Sequence, residues 1–480
     1  MIYSNPEFFL LLTATWLLYR FLPSPRARFA VLLGASVFFY SWAGVFDSLI
    51  FLFVVTVSWT AVWLARRKPA TRSWAIPAGI TVMALHLFFW KYASWAVGQI
   101  QLFAPGFLGG RRPVIPLPVG ISFFTLQGIA YLVDFRRGEA EFMGLKEYLL
   151  FKSFFAQLIA GPIVRAHQLL PQLRRLERPT ADDFACGVGL FAMGFFKKVV
   201  LADRVALFVD PIFGAPGQWG RAALATAVAG YTVQIWADFS GYTDMGRGCA
   251  RMLGFRLPEN FLSPYLARRP SEFWKRWHIT LSEWIRDYVY IPLGGSRGNP
   301  VRALAVVIIT MSLSGLWHGA NWTFVVWGLY HGVLLVTERL APDVFAALPR
   351  LVADFARRLL MLAATAFGWL LFRAPDLASA GRFLRGMLSG GGQAPMHARN
   401  VWPAVLICAG LQILLYQDLE TGRRPLWEFL GRRWSALSGD GRSEWAPAAG
   451  FAAGCALAGV IALSIALRSP HARAFIYFAF

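Results

Sequence analysis

Gly315-Leu316-Trp317-His318-Gly319-Ala320-Asn321-Trp322 lies inside an apolar stretch, from Leu304 to Val336, that contains no Asp, Glu, Lys or Arg. Ionisable groups are costly in hydrocarbon and are retained where they face a bundle interior or a wet cavity, so an imidazole in this setting marks a functional site. The stretch is longer than the roughly 20 residues that one span needs, and Ser312, Ser314, Gly315 and Gly319 offer places to bend it. The reading is two membrane helices with a break at His318. Irregular backbone at that depth is tolerated only where protein buries it or it lines a wet cavity, so a substrate is expected to reach this histidine.

The rest of the chain agrees with a membrane setting. Its 480 residues are 57% hydrophobic and 15% charged, against about 25% charged in soluble domains. Largely apolar runs recur at 8–22, 29–44, 47–65, 74–97, 114–133, 148–163, 184–208, 222–239, 303–337, 355–373, 401–416 and 446–467. They predict an all-α polytopic membrane protein with about eleven spans plus re-entrant and interfacial pieces. A β-barrel would instead show alternating segments of about ten residues, and none recur.

The first apolar run has no basic segment before it and no small-residue cleavage site, so it is expected to stay as a membrane helix. Cys186, Cys249, Cys408 and Cys455 stand apart without CxxC spacing, which argues against a disulfide framework or a cysteine metal site. The formal charge of +21 is spread over short loops, as the positive-inside rule expects, and no nucleic-acid partner is implied. Arg20, Arg26 and Arg28 follow the first run, and Arg66, Arg67, Lys68 and Arg72 the third, whereas the loop from Trp42 to Asp47 has no basic residue. The N-terminus is therefore expected outside and those basic loops in the cytoplasm.

Arg136 and Arg137, and then Arg165, Arg174, Arg175 and Arg178, flank the run at 148–163. If both clusters face the cytoplasm, this run is re-entrant, with Gly161-Pro162 as its stop. The polar interruption from Asp244 to Asn299 contains a pattern, Ser271 to Tyr290, that reads as one interfacial amphipathic helix. At about 100° per residue, Phe273, Trp274, Trp277, Leu281, Trp284, Ile285 and Tyr288 share a face, and Lys275, Arg276, Glu283, Arg286 and Asp287 the other. His278 sits at the edge of the apolar face. The polar stretches 374–400 and 417–446 fall short of the roughly 50 residues of a small domain, so residues 1–480 read as one membrane domain without a separate soluble part.

Among the histidines, His318 stands out because flanking glycines leave backbone room for a ligand and Trp317 and Trp322 supply rigid walls. His278 is balanced between an active-site role and that of a satisfied buried group. His86 and His331 read as packing or hydrogen-bonding residues, and His167, His397 and His471 as solvated or interfacial. An imidazole can remove a proton from a hydroxyl, a contribution of about 100- to 10,000-fold, and a hydroxyl so activated can attack a thioester. No GxSxG elbow or Cys-His spacing points to a covalent acyl-enzyme. Asp238 and Asp244 flank Gly241 six residues apart, where the glycine favours a turn. They either pair with Arg247 or Arg251 or orient a histidine or the donor. Without HExxH or paired ligands on one helix, no metal site is expected.

Phe273-Trp274-Lys275-Arg276-Trp277-His278, Tyr290-Ile291-Pro292-Leu293-Gly294-Gly295-Ser296-Arg297 and Trp317-His318-Gly319 together resemble the membrane-bound O-acyltransferase (MBOAT) family. Among its members, the bacterial acyltransferases of alginate and other exopolysaccharide O-acetylation are the nearest in pattern. Asp238-Phe239-Ser240-Gly241-Tyr242-Thr243-Asp244, Pro118-Val119-Gly120-Ile121-Ser122-Phe123 and Ala160-Gly161-Pro162-Ile163 extend the likeness, which covers a motif core at 116–340. The resemblance implies a ring of membrane helices whose thinned centre joins a cytoplasmic funnel to an outward one. It makes His318 the catalytic histidine and puts His278 at the second active-site position.

The expected activity is transfer of acetyl from cytoplasmic acetyl-CoA across a bacterial inner membrane for O-acetylation of an extracellular, alginate- or cellulose-like polysaccharide. His318 is the expected base and His278 orients or polarises, with support from Trp317, Trp322, Asn321, Trp274, Trp277, Asp238 and Asp244. Acetyl-CoA is a substrate and no cofactor is held permanently. A separate extracytoplasmic acetyltransferase is expected as partner, with lipid around the chain and polysaccharide reached indirectly. D-alanyl or peptidoglycan O-acyl transfer is the alternative within the family. A transporter or flippase of a lipid-linked sugar is the alternative outside it, although no inverted repeat is visible.

Overall fold

The structure is a computed structural model of the chain; it describes residue 3 and residues 5–158, 161–389, 401–416 and 459. Cys455, His397, His471 and nearly all of the apolar run 446–467 lie outside the described residues.

No strand occurs among the described residues, where an isolated bridge joins Phe261 and Trp277. The helices are α1 (Pro6–Phe21), α2 (Pro25–Ser41), α3 (Val45–Arg67), α4 (Arg72–Phe103), α5 (Ile121–Arg137), α6 (Leu145–Ser153), α7 (Ala166–Arg175) and α8 (Ala181–Phe196). They continue as α9 (Asp203–Gly214), α10 (Arg221–Met252), α11 (Pro270–Trp274), α12 (Ile279–Ile285) and α13 (Pro300–His318). The last are α14 (Trp322–Leu340), α15 (Arg350–Arg373), α16 (Leu377–Ser389) and α17 (Val401–Leu414). Proline stands in the first turn of α1, α2 and α13, where its missing amide proton would have had no intrahelical partner.

Among the described residues, five segments are by length and composition long and apolar enough to cross a membrane: Val45–Arg67, Pro69–Phe103, Ala181–Gly214, Pro300–His318 and Arg350–Arg373. Leu49, Phe53, Leu85, Phe88 and Leu359 on these helices are each more than 40% exposed. That outward apolar surface is what a lipid-facing helix requires and an aqueous one avoids. The expectation of an all-α, multi-pass membrane protein holds.

The described residues divide into two compact units, one of residues up to Phe191 with Tyr242–Pro258, the other of Ala192–Gly241 with the described residues from Glu259 onward. In the first, α3 packs on α4 and α5. The run at 148–163 is not a simple span: α6 ends at Ser153, and the non-helical residues from Phe154 to Leu158 are buried. Tyr3 donates its hydroxyl proton to the Phe155 carbonyl at 2.8 Å, and the Gln157 amide donates to the Phe151 carbonyl at 2.6 Å. Buried backbone that leaves helix survives only when its polar groups find such partners.

In the second unit the hairpin of α13 and α14 dominates. Each of its helices begins with an asparagine cap: Asn299 Oδ1 accepts from Val301 N at 2.8 Å, and Asn321 Oδ1 from Thr323 N at 3.1 Å. Such caps satisfy amides that have no intrahelical acceptor.

Candidate active site

α13 ends at His318 and α14 starts at Trp322, so the expected break lies where the sequence put it. His318 is 3% exposed. Its ring meets Trp317 at 4.9 Å, Trp327 at 5.1 Å and Phe372 at 5.1 Å between centroids. Trp327 and Phe372, from α14 and α15, were not singled out in the sequence because nothing local ties them to the Trp-His-Gly run.

The glycines beside His318 do not leave room for a ligand, contrary to the sequence reading. A Cβ on Gly315 would lie 2.1 Å from the Phe324 carbonyl oxygen, and one on Gly319 would lie 2.2 Å from the Phe324 ring. They let the two helices approach closely, the usual role of small residues between membrane helices. Asn321 is committed to the backbone at both ends of its amide, since Nδ2 also donates to the Pro375 carbonyl at 2.7 Å. Trp322 is 49% exposed.

The stretch from Ser271 to Tyr290 is not one helix. It breaks into α11, a turn, α12 and a wider π-type turn over Arg286–Tyr290. The break is at His278, which caps α12 in the left-handed region, φ 43° and ψ 54°. That conformation is uncommon for a residue with a side chain and clusters at functional sites. Phe273, Trp277, Leu281 and Trp284 are buried as the periodicity required, and Trp277 packs among Phe273, Phe261 and Trp369. Arg276, expected on the polar face, is instead fully buried. Its guanidinium donates to Glu272 at 2.8 and 3.0 Å and to the Leu262 carbonyl at 2.9 Å. Burying an arginine is tolerable only with that degree of pairing.

His278 is 1% exposed and stands edge-on to Phe239 at 4.6 Å. It lies outside the five membrane-length helices, and burial pushes its pKa below the ordinary imidazole value. Asn260, which the sequence reading did not single out, meets His278 Nδ1 at 3.1 Å. The Trp317 ring lies 6.2 Å from the His278 ring and 4.9 Å from the His318 ring. The Trp317 ring thus neighbours both imidazoles, which stand 40 residues apart in sequence. His331 is fully buried among Phe273, Trp274 and Trp327, a packing role as expected. His86 accepts from Trp90 Nε1 at 2.9 Å, and His167 is exposed.

A cleft lies on the same helices, α11 to α14, although neither histidine lines it. Trp274, Leu281, Ile285, Val307 and Met311 line it, with Arg286, Tyr290 and Arg339 among its other walls, and Ser314 lies one turn before His318. It holds about 640 Å3 of empty space, open solvent at its mouth included. Thr310 Oγ1 and Trp274 Nε1, which belong to its walls, are buried without a hydrogen-bond partner among the described residues.

Gly241 makes no turn, because α10 runs unbroken through it from Arg221 to Met252. A Cβ there would lie 2.7 Å from the Gly194 carbonyl, so the glycine serves close packing. Asp238 has a partner that the sequence reading did not consider. Its carboxylate sits 2.6 Å from Lys198 Nζ, with both side chains 3% exposed. Asp244 faces Arg247 at 3.5 Å, and Arg251 pairs with Asp183 at 2.9 Å. Among the described residues no three or more His, Cys, Asp or Glu side chains are disposed to hold a metal ion.

The family model for the membrane-bound O-acyltransferases matches residues 121–374, which include both histidines, the cleft and the buried ion pair. The chain belongs to the membrane-bound O-acyltransferase family. Relatives of this acyltransferase include the probable alginate O-acetylase AlgI of Pseudomonas aeruginosa, 38% identical over 82% of the chain and 75% of that protein. The peptidoglycan O-acetyltransferase of Helicobacter pylori is 33% identical over 76% of the chain and 74% of its own length. The teichoic acid D-alanyltransferase of Bacillus subtilis is 28% identical over 45% of the chain and 58% of its own length.

Proposed function

We propose that this acyltransferase takes acetyl from acetyl-CoA on the cytoplasmic side of a bacterial inner membrane and passes it outward for O-acetylation of an extracellular polysaccharide such as alginate. The observation that carries the reading is the single indole, Trp317, that neighbours two buried imidazoles. His318 removes the proton of the attacking group, and His278 orients it. The cleft's apolar walls suit the arm of coenzyme A, and Arg286 and Arg339 suit its phosphates. Acetyl is favoured over D-alanyl because relatives named for O-acetylation match 82% and 76% of the chain, against 45% for the D-alanyl one.

The final transfer onto a bulky, hydrated polymer needs a pocket that orients its hydroxyl. A cleft inside a membrane helix bundle does not admit such a chain, so a separate extracytoplasmic acetyltransferase collects the acetyl group. Purified protein given acetyl-CoA and polymer should acetylate the polymer poorly, and adding the partner should restore transfer with one free CoA released per acetyl moved. Partner-dependent polymer transport without CoA release would support the transporter reading instead. Efficient acetylation by this chain alone would sink the partner.

A further inference from the structure

We propose that Asn260 is a positioning residue that fixes His278 as the tautomer protonated on Nδ1, so that Nε2 is the nitrogen presented to the reaction as a hydrogen-bond acceptor. The inference rests on the reading that His278 takes part in acyl transfer.

Asn260 is 1% exposed, and its Oδ1 lies 3.2 Å from Thr280 N, 3.0 Å from Thr280 Oγ1 and 3.1 Å from His278 Nδ1. The Thr280 amide can only donate, so the asparagine atom that it meets is the oxygen and not the nitrogen. An amide oxygen can only accept. The His278 nitrogen that faces the same oxygen must therefore carry a hydrogen, and in the neutral ring that leaves the proton off Nε2.

The backbone holds this arrangement rigidly. Ile279 N donates to the Asn260 carbonyl at 3.0 Å, and Leu262 N donates to the Arg276 carbonyl at 3.0 Å. The buried Arg276 guanidinium clamps the Leu262 carbonyl from the other side. The left-handed turn at His278 lets its own carbonyl accept from Leu281 N and Ser282 N, each at 3.0 Å, and points the chain into α12. Phe239 against the ring opposes its reorientation.

The tautomer decides the chemistry. A neutral His278 with a bare Nε2 accepts a hydrogen bond from the attacking hydroxyl and so orients it, while His318 takes the proton; it has no N–H there to donate to the thioester oxygen. The proton taken from the hydroxyl is the one the departing CoA sulfur requires, so the transfer balances as hydroxyl plus thioester giving ester plus thiol.

The test is an 15N spectrum of the full-length protein in detergent with labelled histidine, the His278 signals being assigned by their loss in His278→Gln. The expected result is a protonated Nδ1 and a pyridine-like Nε2 in the neutral ring. A ring protonated on Nε2 would overturn the proposal without any variant of Asn260. Asn260→Ala should release the tautomer and lower kcat by roughly 10- to 100-fold, since a misoriented hydroxyl forfeits part of what the general base His318 contributes, with KM for acetyl-CoA unchanged. Asn260→Asp accepts the same hydrogen bond, so it should keep the Nδ1–H tautomer and substantial turnover, with the acidic limb of the pH profile moved to higher pH. Loss of turnover in Asn260→Asp with the tautomer retained would contradict the positioning role. Normal turnover by His278→Gln would instead remove His278 from the reaction while leaving the tautomer assignment intact.

Discussion

Gly315 and Gly328 face each other where α13 crosses α14: a Cβ on Gly315 would lie 2.9 Å from the Gly328 Cα, and one on Gly328 would lie 2.3 Å from the Met311 carbonyl oxygen. The position of His318, one turn further along α13, depends on that backbone contact. Gly315→Ala should therefore overpack the hairpin, at a cost of about 1–3 kcal/mol or more. The expected outcome is a lower melting temperature in detergent together with lost turnover. Unchanged melting would show that the two helices have slack the structure does not contain.

Lys198 and Asp238 form a buried ion pair at 2.6 Å, and Lys198 also meets Asp203 at 2.8 Å, a carboxylate exposed enough to be hydrated when the lysine is removed. Removing one member strands the other, which typically costs about 3–5 kcal/mol, whereas replacing both with apolar residues is often neutral. Lys198→Met should destabilise strongly, and Lys198→Met with Asp238→Leu should recover much of the loss and much of the activity. A double variant that is stable but inactive would instead place Asp238 in the chemistry. Thermal unfolding and turnover, measured side by side, separate the two.

From the charge pattern, the loop around Ala70 is expected in the cytoplasm and the loop at Trp42 outside. Both positions are exposed, as labelling requires. In a background without native cysteines, Ala70→Cys should react with an impermeant thiol reagent only from the cytoplasmic side and Trp42→Cys only from outside. The reverse pattern would overturn the orientation and with it the side from which acetyl-CoA enters.

What the sequence revealed, and what it concealed, follows the range of the forces involved. The break at His318 and the buried face of Phe273, Trp277, Leu281 and Trp284 were legible, since apolar periodicity and charge exclusion are local signals. The turn at His278 was not legible. Its left-handed backbone is held by Asn260, eighteen residues upstream, and by hydrogen bonds that leave no periodic trace. Asp238 was read against nearby arginines, but its partner Lys198 comes from a segment forty residues earlier. Gly241, Gly315 and Gly319 were read for backbone freedom at a turn or room for a ligand. Close helix packing leaves the same residue in the sequence.

The central claim is that His318 removes a proton in the transition state and is not there for packing. Replacing it with alanine and measuring acetyl-CoA-dependent turnover against thermal stability in the same preparation tests that most directly. Turnover should fall by at least about 100-fold, with expression and detergent-solubilised mass unchanged. Near-wild-type turnover by a well-folded His318→Ala protein would contradict the account.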